Sequence, residues 1–193
     1  GYLSVVLDNQ GNQTAKLVAS GSNRVYVTLE EIPKDLQHAV VAIEDERFYE
    51  HNGIDLKGII RAGLTGIGNG FHFSQGASTI TQQLLKNNVF EGWVGQSGME
   101  KVKRKIQEQY LAIELSKVKS KDWVLENYLN TINLGQNTLG VQSASRRYFG
   151  KDVSELTLSE SAVIAGITKN PSAYNPVSHP KDNAKRRKQV LKN

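Results

Sequence analysis

The stretch that decides the fold is Ala39-Val40-Val41-Ala42-Ile43-Glu44-Asp45-Glu46-Arg47-Phe48-Tyr49-Glu50-His51-Asn52-Gly53. Its apolar first third predicts a helix that enters the core, and the residues behind it bring four carboxylates and a histidine to the helix end. Acidic residues often lie at a solvated helix end, and this segment alone favours that interpretation. A carboxylate at the end of a buried helix also suits a general base. The rest of the sequence decides between the two.

The composition is that of one globular domain. The chain has 193 residues, of which 38% are hydrophobic and 22% are charged, which is ordinary for a protein with a buried core. No apolar run is long enough to span a bilayer. The lack of cysteine excludes disulfides and thiolate chemistry, and the four scattered histidines do not have zinc-site spacing. Because the chain begins and ends abruptly, we expect a domain of a longer protein.

The net charge of +5 resides in the C-terminal segment. Residues 181–193 hold six basic side chains against one acid, whereas the basic and acidic residues before them cancel. Such a segment suits nucleic acid or anionic lipid, but a solvated face of a terminal helix explains it equally well. The charge of this segment therefore does not decide whether it binds a partner or only faces solvent.

Hydrophobic periodicity predicts a mainly α fold. We place an extended N-terminal segment at residues 1–28, with a turn at 8–12, and the main domain at 29–193, where the pattern becomes helical. Glycine-rich loops are predicted at 66–73 and 92–98, and Gly150 is expected to end a helix in the left-handed conformation. Helices are predicted to start near Pro33, Asp55, Ser78 or Thr79, Glu100, Ser120, Leu139 and Thr157.

Polar side chains crowd the start of the third predicted helix. Residues 76–83 read Gly-Ala-Ser-Thr-Ile-Thr-Gln-Gln, and Lys86 follows about one turn later. Free backbone N–H groups at a helix start attract anions, so this run suits phosphate or sugar hydroxyls. Helix capping explains single members of the run but not five polar side chains, or six with Lys86, with so little apolar content.

A stripe of cations surrounds one carboxylate on the long predicted helix. Residues 101–108 read Lys-Val-Lys-Arg-Lys-Ile-Gln-Glu, and their spacing brings Arg104 and Lys105 to the side of Glu108. A salt-bridged solvent face is the ordinary explanation. If the stripe faces a cleft, the cations can hold a diphosphate and Glu108 can set their geometry.

The surroundings of two carboxylates, Glu44 and Glu108, distinguish a hydrolase from a glycosyltransferase. A lysozyme-like hydrolase must protonate its leaving group, so it needs a neutral acid in apolar surroundings. Glu108 lies instead among four cations, which favour its ionised form. A diphosphate leaving group needs positive charge rather than a proton. The residues favour glycosyl transfer from a sugar diphosphate with Glu44 as the base. A glycan hydrolase and a basic glycan- or nucleic-acid-binding module remain the alternatives.

Several motifs in order resemble those of the peptidoglycan glycosyltransferases, glycosyltransferase family 51. They are Glu-Asp-x-x-Phe-x-x-His-x-Gly at 44–53, Gly-x-Ser-Thr-Ile-Thr-Gln-Gln at 76–83, Arg-Lys-x-x-Glu at 104–108, Glu-Asn-Tyr-Leu-Asn at 126–130 and Leu-Ser-Glu-Ser-Ala at 158–162. The resemblance covers about residues 25–190. The extended start and the basic tail look more like a bifunctional class A penicillin-binding protein than a stand-alone enzyme.

The resemblance implies a lysozyme-like helical domain with a second, membrane-associating lobe, on the extracytoplasmic face of the bacterial cytoplasmic membrane. It also implies polymerisation of lipid II into β-1,4-linked glycan, with inversion and release of undecaprenyl diphosphate. In that reaction Glu44 deprotonates the acceptor hydroxyl, and Glu108 supports the leaving diphosphate directly or through a divalent cation. The resemblance does not make any cofactor a requirement. It leaves open an Mg²⁺ or Mn²⁺ ion at the diphosphate, with Glu108 as the candidate ligand.

The same resemblance implies substrate contacts for Asp45, Ser78, Gln82, Gln83, Lys86, Arg104, Lys105 and Asn130. Among these, Asp45 is expected to brace the site together with His51 rather than to react. The loop at 66–73 is expected to contact lipid through its apolar side chains. The chain lacks the full set of transpeptidase motifs, so we expect that activity in a C-terminal domain of the full-length protein. Nucleic acid is not expected as a partner.

Overall fold

The computed structural model describes residues 3–7, 13–18, 25–68, 77–89 and 98–192. Within these ranges the predicted mainly α fold is confirmed. The elements are β1 (Leu3–Leu7), β2 (Gln13–Val18), α1 (Lys34–Glu44), α2 (Leu56–Gly68), α3 (Ile80–Asn88), α4 (Gly98–Val118), α5 (Lys121–Thr131), α6 (Val141–Phe149), α7 (Leu158–Ile167) and α8 (Pro180–Val190), with short 3₁₀ turns at Leu29–Glu31 and Val153–Glu155.

The two strands form an antiparallel hairpin in which Leu3 pairs with Val18. The predicted extended segment therefore contains two strands, but its last stretch, residues 25–27, is not in a strand. Its backbone is bound by a helix side chain instead. The N–H of Val27 donates to Asn130 Oδ1 at 2.9 Å, and the Val27 carbonyl accepts from Asn130 Nδ2 at 2.8 Å. The division of the chain at residue 28 stays a prediction.

Helix α7 is the most completely buried helix of the described chain, and α1 packs along it. Residues Ser161–Ile167 of α7 are all buried, as are Leu36 and Val40 of α1. The predicted capping box starts α7, because the Glu160 N–H donates to Thr157 Oγ1 at 3.3 Å and the Thr157 N–H donates to Glu160 Oε1 at 3.0 Å. Helix α8 also packs on α7. The end of α1 is therefore held against a rigid core.

A helix overlaps one end of each of the two predicted glycine-rich loops. Helix α2 continues to Gly68, through the first part of the loop predicted at 66–73. Helix α4 already begins at Gly98, the last residue of the loop predicted at 92–98. Residues 69–73 and 92–97 lie outside the described ranges, and with them Phe71 and Phe73, which belong to the predicted lipid-contact loop.

The ends of α6 follow from its flanking residues. The helix begins at Val141 rather than at the predicted Leu139, because Leu139 pairs with Asn133 in an isolated antiparallel bridge. It ends at Gly150, whose φ of 66° is the predicted left-handed cap.

An ion pair closes the turn between α1 and α2. Asp55, the predicted cap of α2, accepts the Gly58 N–H at 3.1 Å. It also accepts from Arg47 Nε at 3.0 Å and from Arg47 Nη2 at 2.6 Å, which is a bidentate pair. The hydrogen bonds from Arg47 are the main reason why the pKa of Asp55 is below its usual value, and partial burial acts in the opposite direction. This pair fixes the chain directly after Glu44.

Two helices expose rows of apolar side chains. On α2, the row is Leu56, Ile60 and Leu64, which are 63, 62 and 68% exposed. On α4, the row is Met99, Val102, Ile106 and Tyr110, each more than half exposed. Contiguous exposed apolar surface marks contact with another surface. None of the described helices is long and apolar enough to cross a membrane.

Candidate active site

The carboxylate of Glu44 lies at the last residue of α1 and is held at both oxygens. Gln83 Nε2 donates to Oε2 at 3.1 Å, and Thr168 Oγ1 donates to Oε1 at 2.7 Å. The side chain is half-buried, so it remains accessible from one side. A carboxylate fixed in this way is suited to accept a proton from a bound hydroxyl group.

Tyr128 sets the orientation of the Gln83 amide. The phenol is buried on α5, and burial raises its pKa well above the usual value, with a further increase from the carboxylates of Glu44 and Asp45. It therefore stays protonated, and its hydroxyl donates to Gln83 Oε1 at 3.0 Å. Because the amide oxygen is taken by this donor, the amide N–H group is directed to Glu44.

Asp45 binds the loop after α1 and the start of α3. It is only 6% exposed, and its Oδ2 accepts from the Ile80 N–H at 3.0 Å and from His51 Nε2 at 2.8 Å. The other ring nitrogen, His51 Nδ1, accepts from the Gly53 N–H at 3.1 Å. The ring proton of the neutral imidazole therefore resides on Nε2. The arrangement ties the end of α1 to the first residue of α3.

The loop that carries His51 is wedged against α4, and glycine is required there. Gly53 has a φ of 92°, and a Cβ at this position would lie 2.2 Å from the Ala112 carbonyl oxygen. Its own carbonyl accepts from Thr79 Oγ1 at 2.6 Å. Thr79 also caps α3 by accepting the Gln82 N–H. The first and second sequence motifs therefore meet at this point.

The second carboxylate, Glu108, is buried on α4 beside a lysine. It is 2% exposed, and its Oε1 accepts from Lys105 Nζ at 2.8 Å and from Gln82 Nε2 at 3.2 Å. Lys105 Nζ also donates to Ser78 Oγ at 2.6 Å. The lysine side chain is 43% exposed, so its positive charge is accessible at the surface although the carboxylate beside it is buried. We call Ser78, Lys105 and Glu108 the cationic corner.

The start of α3 joins the two halves of the site. Gln82 donates to Glu108, and the next residue, Gln83, donates to Glu44. Gln82 is 1% exposed, and its Oε1 accepts the Thr79 N–H at 3.1 Å. Its contacts are internal to the site, whereas Gln83 is half-buried beside the carboxylate that faces solvent.

The remaining predicted substrate residues are Arg104, Lys86 and Asn130. Arg104 is half-buried on α4, one residue before Lys105. Lys86 is exposed on α3, and within the described ranges no hydrogen bond or ion pair reaches it. Asn130 lies on α5, where both of its amide hydrogens and its oxygen bind the backbone of Val27 and Glu126, and its contact with substrate stays a prediction. It holds the N-terminal segment on α5 and has no hydrogen left for a ligand.

Sequence reasoning missed Thr168 and Tyr128. Tyr128 lies within the motif at 126–130, where a phenol at an otherwise buried position is a signal for a hydrogen-bonded network. Thr168 follows the last residue of α7 and lies 124 residues from Glu44. No local pattern connects the two, because their contact depends on the packing of α1 on α7.

The residues at the cationic corner do not form a protein cage for a divalent cation. The described ranges contain no cluster of three or more acidic, histidine or cysteine side chains that could hold a metal ion. Glu108 Oε1 already accepts from two nitrogen donors. A cation at this place would depend on oxygens of the substrate, as Mg²⁺ often does.

Known proteins similar to this chain are penicillin-binding proteins. The family model described as Transglycosylase matches residues 10–193. A penicillin-binding protein 1A of Clostridium botulinum is 44% identical over 178 residues, which are 91% of this chain and 21% of that protein. One of Clostridium perfringens strain 13 is 47% identical, over 91% of this chain and 25% of that protein. The penicillin-binding protein 1F of Bacillus subtilis is 43% identical, over 97% and 25%.

A crystal structure of penicillin-binding protein 1A from Haemophilus influenzae aligns with all of this chain and 18% of its own, at 24% identity and a TM-score of 0.44. The chain spans about a quarter or less of the length of the bacterial relatives named above. The family model, in contrast, extends over nearly the whole chain and includes all of the motifs that build the site. This chain therefore belongs to the transglycosylase family.

Proposed function

We propose that this chain is a peptidoglycan glycosyltransferase domain that polymerises lipid II into β-1,4-linked glycan with inversion, releasing undecaprenyl diphosphate. Membership in the transglycosylase family supports the reaction class. The observation that carries the proposal is the shared start of α3. Consecutive residues, Gln82 and Gln83, bind a buried carboxylate with its lysine on one side and a solvent-accessible carboxylate on the other.

The chemistry divides between these two carboxylates. Glu44 takes the proton of the acceptor 4-hydroxyl, whose oxygen forms a bond with C1 of the donor sugar while the bond from C1 to the diphosphate oxygen breaks. The departing diphosphate gains negative charge, which Lys105 stabilises from its exposed position. We propose that Arg104 and Lys86 approach the same group in the substrate complex. Ser78 orients the Lys105 ammonium group through its hydroxyl.

The paired Glu108 argues against a glycan hydrolase. A hydrolase needs a neutral acid to protonate a sugar leaving group. Glu108 instead forms a salt bridge of 2.8 Å with Lys105 Nζ and accepts a second hydrogen bond from Gln82, so it lies beside a cation and not in apolar surroundings. A diphosphate leaves without a proton, so the geometry fits transfer better than hydrolysis.

The apolar rows of α2 and α4 support contact with a membrane surface. Undecaprenyl substrates are anchored in lipid, and a domain that acts on them must lie at the interface. The two rows offer exposed aliphatic and aromatic side chains of the kind that enter the headgroup region. We propose that the domain lies on the extracytoplasmic face of the bacterial cytoplasmic membrane. The greater length of the relatives supports a further C-terminal domain, for which we propose transpeptidase activity.

The test is polymerisation of lipid II by the purified chain, with Glu44→Gln as the variant. The substitution keeps the shape of the side chain but removes the base, so kcat is expected to fall at least about a hundredfold while substrate binding persists. Glu46→Gln is the matched control, because Glu46 is 54% exposed and its carboxylate pairs with Arg47 and Arg61 rather than with the groups that hold Glu44. Near-normal polymer formation by Glu44→Gln would refute the assignment of the base.

The same assay separates the alternative functions. Shortening of finished glycan, without release of undecaprenyl diphosphate from lipid II, would favour a hydrolase. Glycan or nucleic-acid binding that depends on residues 181–193 and survives Glu44→Gln, without turnover, would favour a basic binding module. Addition of EDTA tests the divalent cation, which stays a prediction.

A further inference from the structure

The hydroxyl group of Thr168 lies between two acceptors that compete for its single proton. Thr168 Oγ1 is 2.7 Å from Glu44 Oε1 and 2.8 Å from the Ala165 carbonyl oxygen. One hydroxyl proton can serve only one of them at a time, and rotation about the Cβ–Oγ1 bond exchanges them. The residue follows the buried helix α7, so its position relative to the carbonyl is fixed by the helix backbone.

We propose that Thr168 is a positioning residue whose hydroxyl follows the protonation of Glu44, an inference that rests on the proposed function. While Glu44 is ionised, the hydroxyl donates to its Oε1, because a hydrogen bond to a charged acceptor is the stronger one. After Glu44 has taken the acceptor proton, its O–H donates to Thr168 Oγ1, and the Thr168 hydroxyl donates to Ala165. Thr168 keeps its own proton throughout, and both states are fully hydrogen-bonded.

The described partner of the other Glu44 oxygen, Oε2, cannot change from a donor to an acceptor. Gln83 presents an N–H group to Oε2, and its amide oxygen is held by the Tyr128 hydroxyl. An amide nitrogen cannot accept a proton. Of the two partners described for Glu44, only Thr168 is therefore both a donor to the carboxylate and an acceptor from the carboxylic acid.

Few charged groups face this pair. Asp45 lies at the same helix end but directs its Oδ2 to Ile80 and His51, and Tyr128 approaches from α5 in its protonated form. Helix α3 contributes the Gln83 amide and the end of α7 contributes the hydroxyl, neither of which titrates near neutral pH. A change at Thr168 is therefore expected to act on Glu44 itself.

The experiment compares the pH dependence of kcat for lipid II polymerisation by the wild type, Thr168→Val and Thr168→Ser. Valine keeps the shape but removes the donor, which disfavours the ionised base. The acid limb of the kcat profile is expected to shift upward by about one pH unit. On the plateau above that limb, kcat is expected to fall about tenfold with KM unchanged, because the carboxylate has lost the hydrogen bond that orients it. Serine restores the hydroxyl and should return both values to within about twofold. Thr65→Val is the matched control, since Thr65 is exposed and its hydroxyl bonds only the Arg61 carbonyl of its own helix.

The outcomes separate this inference from the proposed function. A wild-type chain without polymerase activity refutes the proposed function, and the inference with it. An active Thr168→Val variant with an unshifted acid limb refutes the role of Thr168 and leaves Glu44 as the base. If the valine variant unfolds, the serine variant and Thr168→Ala take its place, and an alanine profile identical to that of the wild type overturns the proposal. An equal loss of kcat in the serine variant shows a steric effect and overturns it as well.

Discussion

Replacement of Asn130 by alanine is expected to destabilise the domain without weakening substrate binding. The side chain is 6% exposed and makes three hydrogen bonds to the backbone: two to Val27 and one to the Glu126 carbonyl at 2.8 Å. The same residue is implied to contact substrate by sequence resemblance alone. Stability and KM therefore distinguish the two roles.

The expected loss follows from the contacts. The two buried hydrogen bonds to Val27 and the partly buried one to Glu126 contribute about 1 kcal/mol each, and Asn130→Ala leaves the N–H and the carbonyl of Val27 without partners in a buried segment. The free energy of unfolding should fall by about 3 kcal/mol. For a domain of this length, that corresponds to a decrease in Tm of about 6–12 °C.

The assay is thermal unfolding followed by circular dichroism, together with lipid II kinetics well below the lower Tm. Asn127→Ala is the matched control on the same helix, because Asn127 bonds only the Trp123 carbonyl of its own helix and its amide oxygen has no partner in the described chain. It should lower the free energy of unfolding by about 1 kcal/mol or less. An unchanged Tm for Asn130→Ala, combined with a severalfold higher KM, would refute the structural role.

Two further predictions concern the turn after α1. Gly53→Ala should lower the free energy of unfolding by about 3 kcal/mol or more, and Tm with it, because the new methyl group would lie 2.2 Å from the Ala112 carbonyl oxygen at a φ of 92°. Gly63→Ala, where nothing lies within 4 Å of the new methyl group, should raise Tm slightly, and equal Tm changes in the two variants would contradict this account. The pKa of Asp55 is lowered on folding, so its stabilisation is present above the unfolded value of about 3.9 and is lost as pH falls through the folded value. The Tm difference between wild type and Asp55→Asn should therefore shrink below about pH 4, and a difference independent of pH would show that the Arg47 pair does not contribute.

Local patterns predicted those features that depend on neighbouring residues. The capping box at Thr157 started α7 where expected, and Gly150 ended α6, because each signal acts within one helix turn. Helix α2 extended beyond its prediction to Gly68, although glycine in a helix interior is unfavourable. Glycines at the end of a helix have the same sequence signature as a glycine-rich loop, so the pattern predicts a loop there.

Contacts between distant residues could not be predicted in the same way. Glu44 meets Gln83 across 39 residues and Thr168 across 124, and only the packing of the helices brings these groups together. Asn130 shows the same limit, since an asparagine within a motif has the same appearance in the sequence whether it binds a ligand or a backbone 103 residues away. The chemistry of a residue is readable from the sequence, but the partner that uses it is set by tertiary structure.

The consecutive residues Gln82 and Gln83 fix the position of Glu44 relative to that of Glu108. Neighbouring positions on a helix differ by about 100° in direction and 1.5 Å in height, so one turn of α3 fixes the angle between the direction of Glu44 and that of Glu108. Insertion of one residue before Gln82 would turn each amide away from its carboxylate. Since both carboxylates are aligned to the same short helix, neither can be repositioned by a backbone change in α3 without displacing the other.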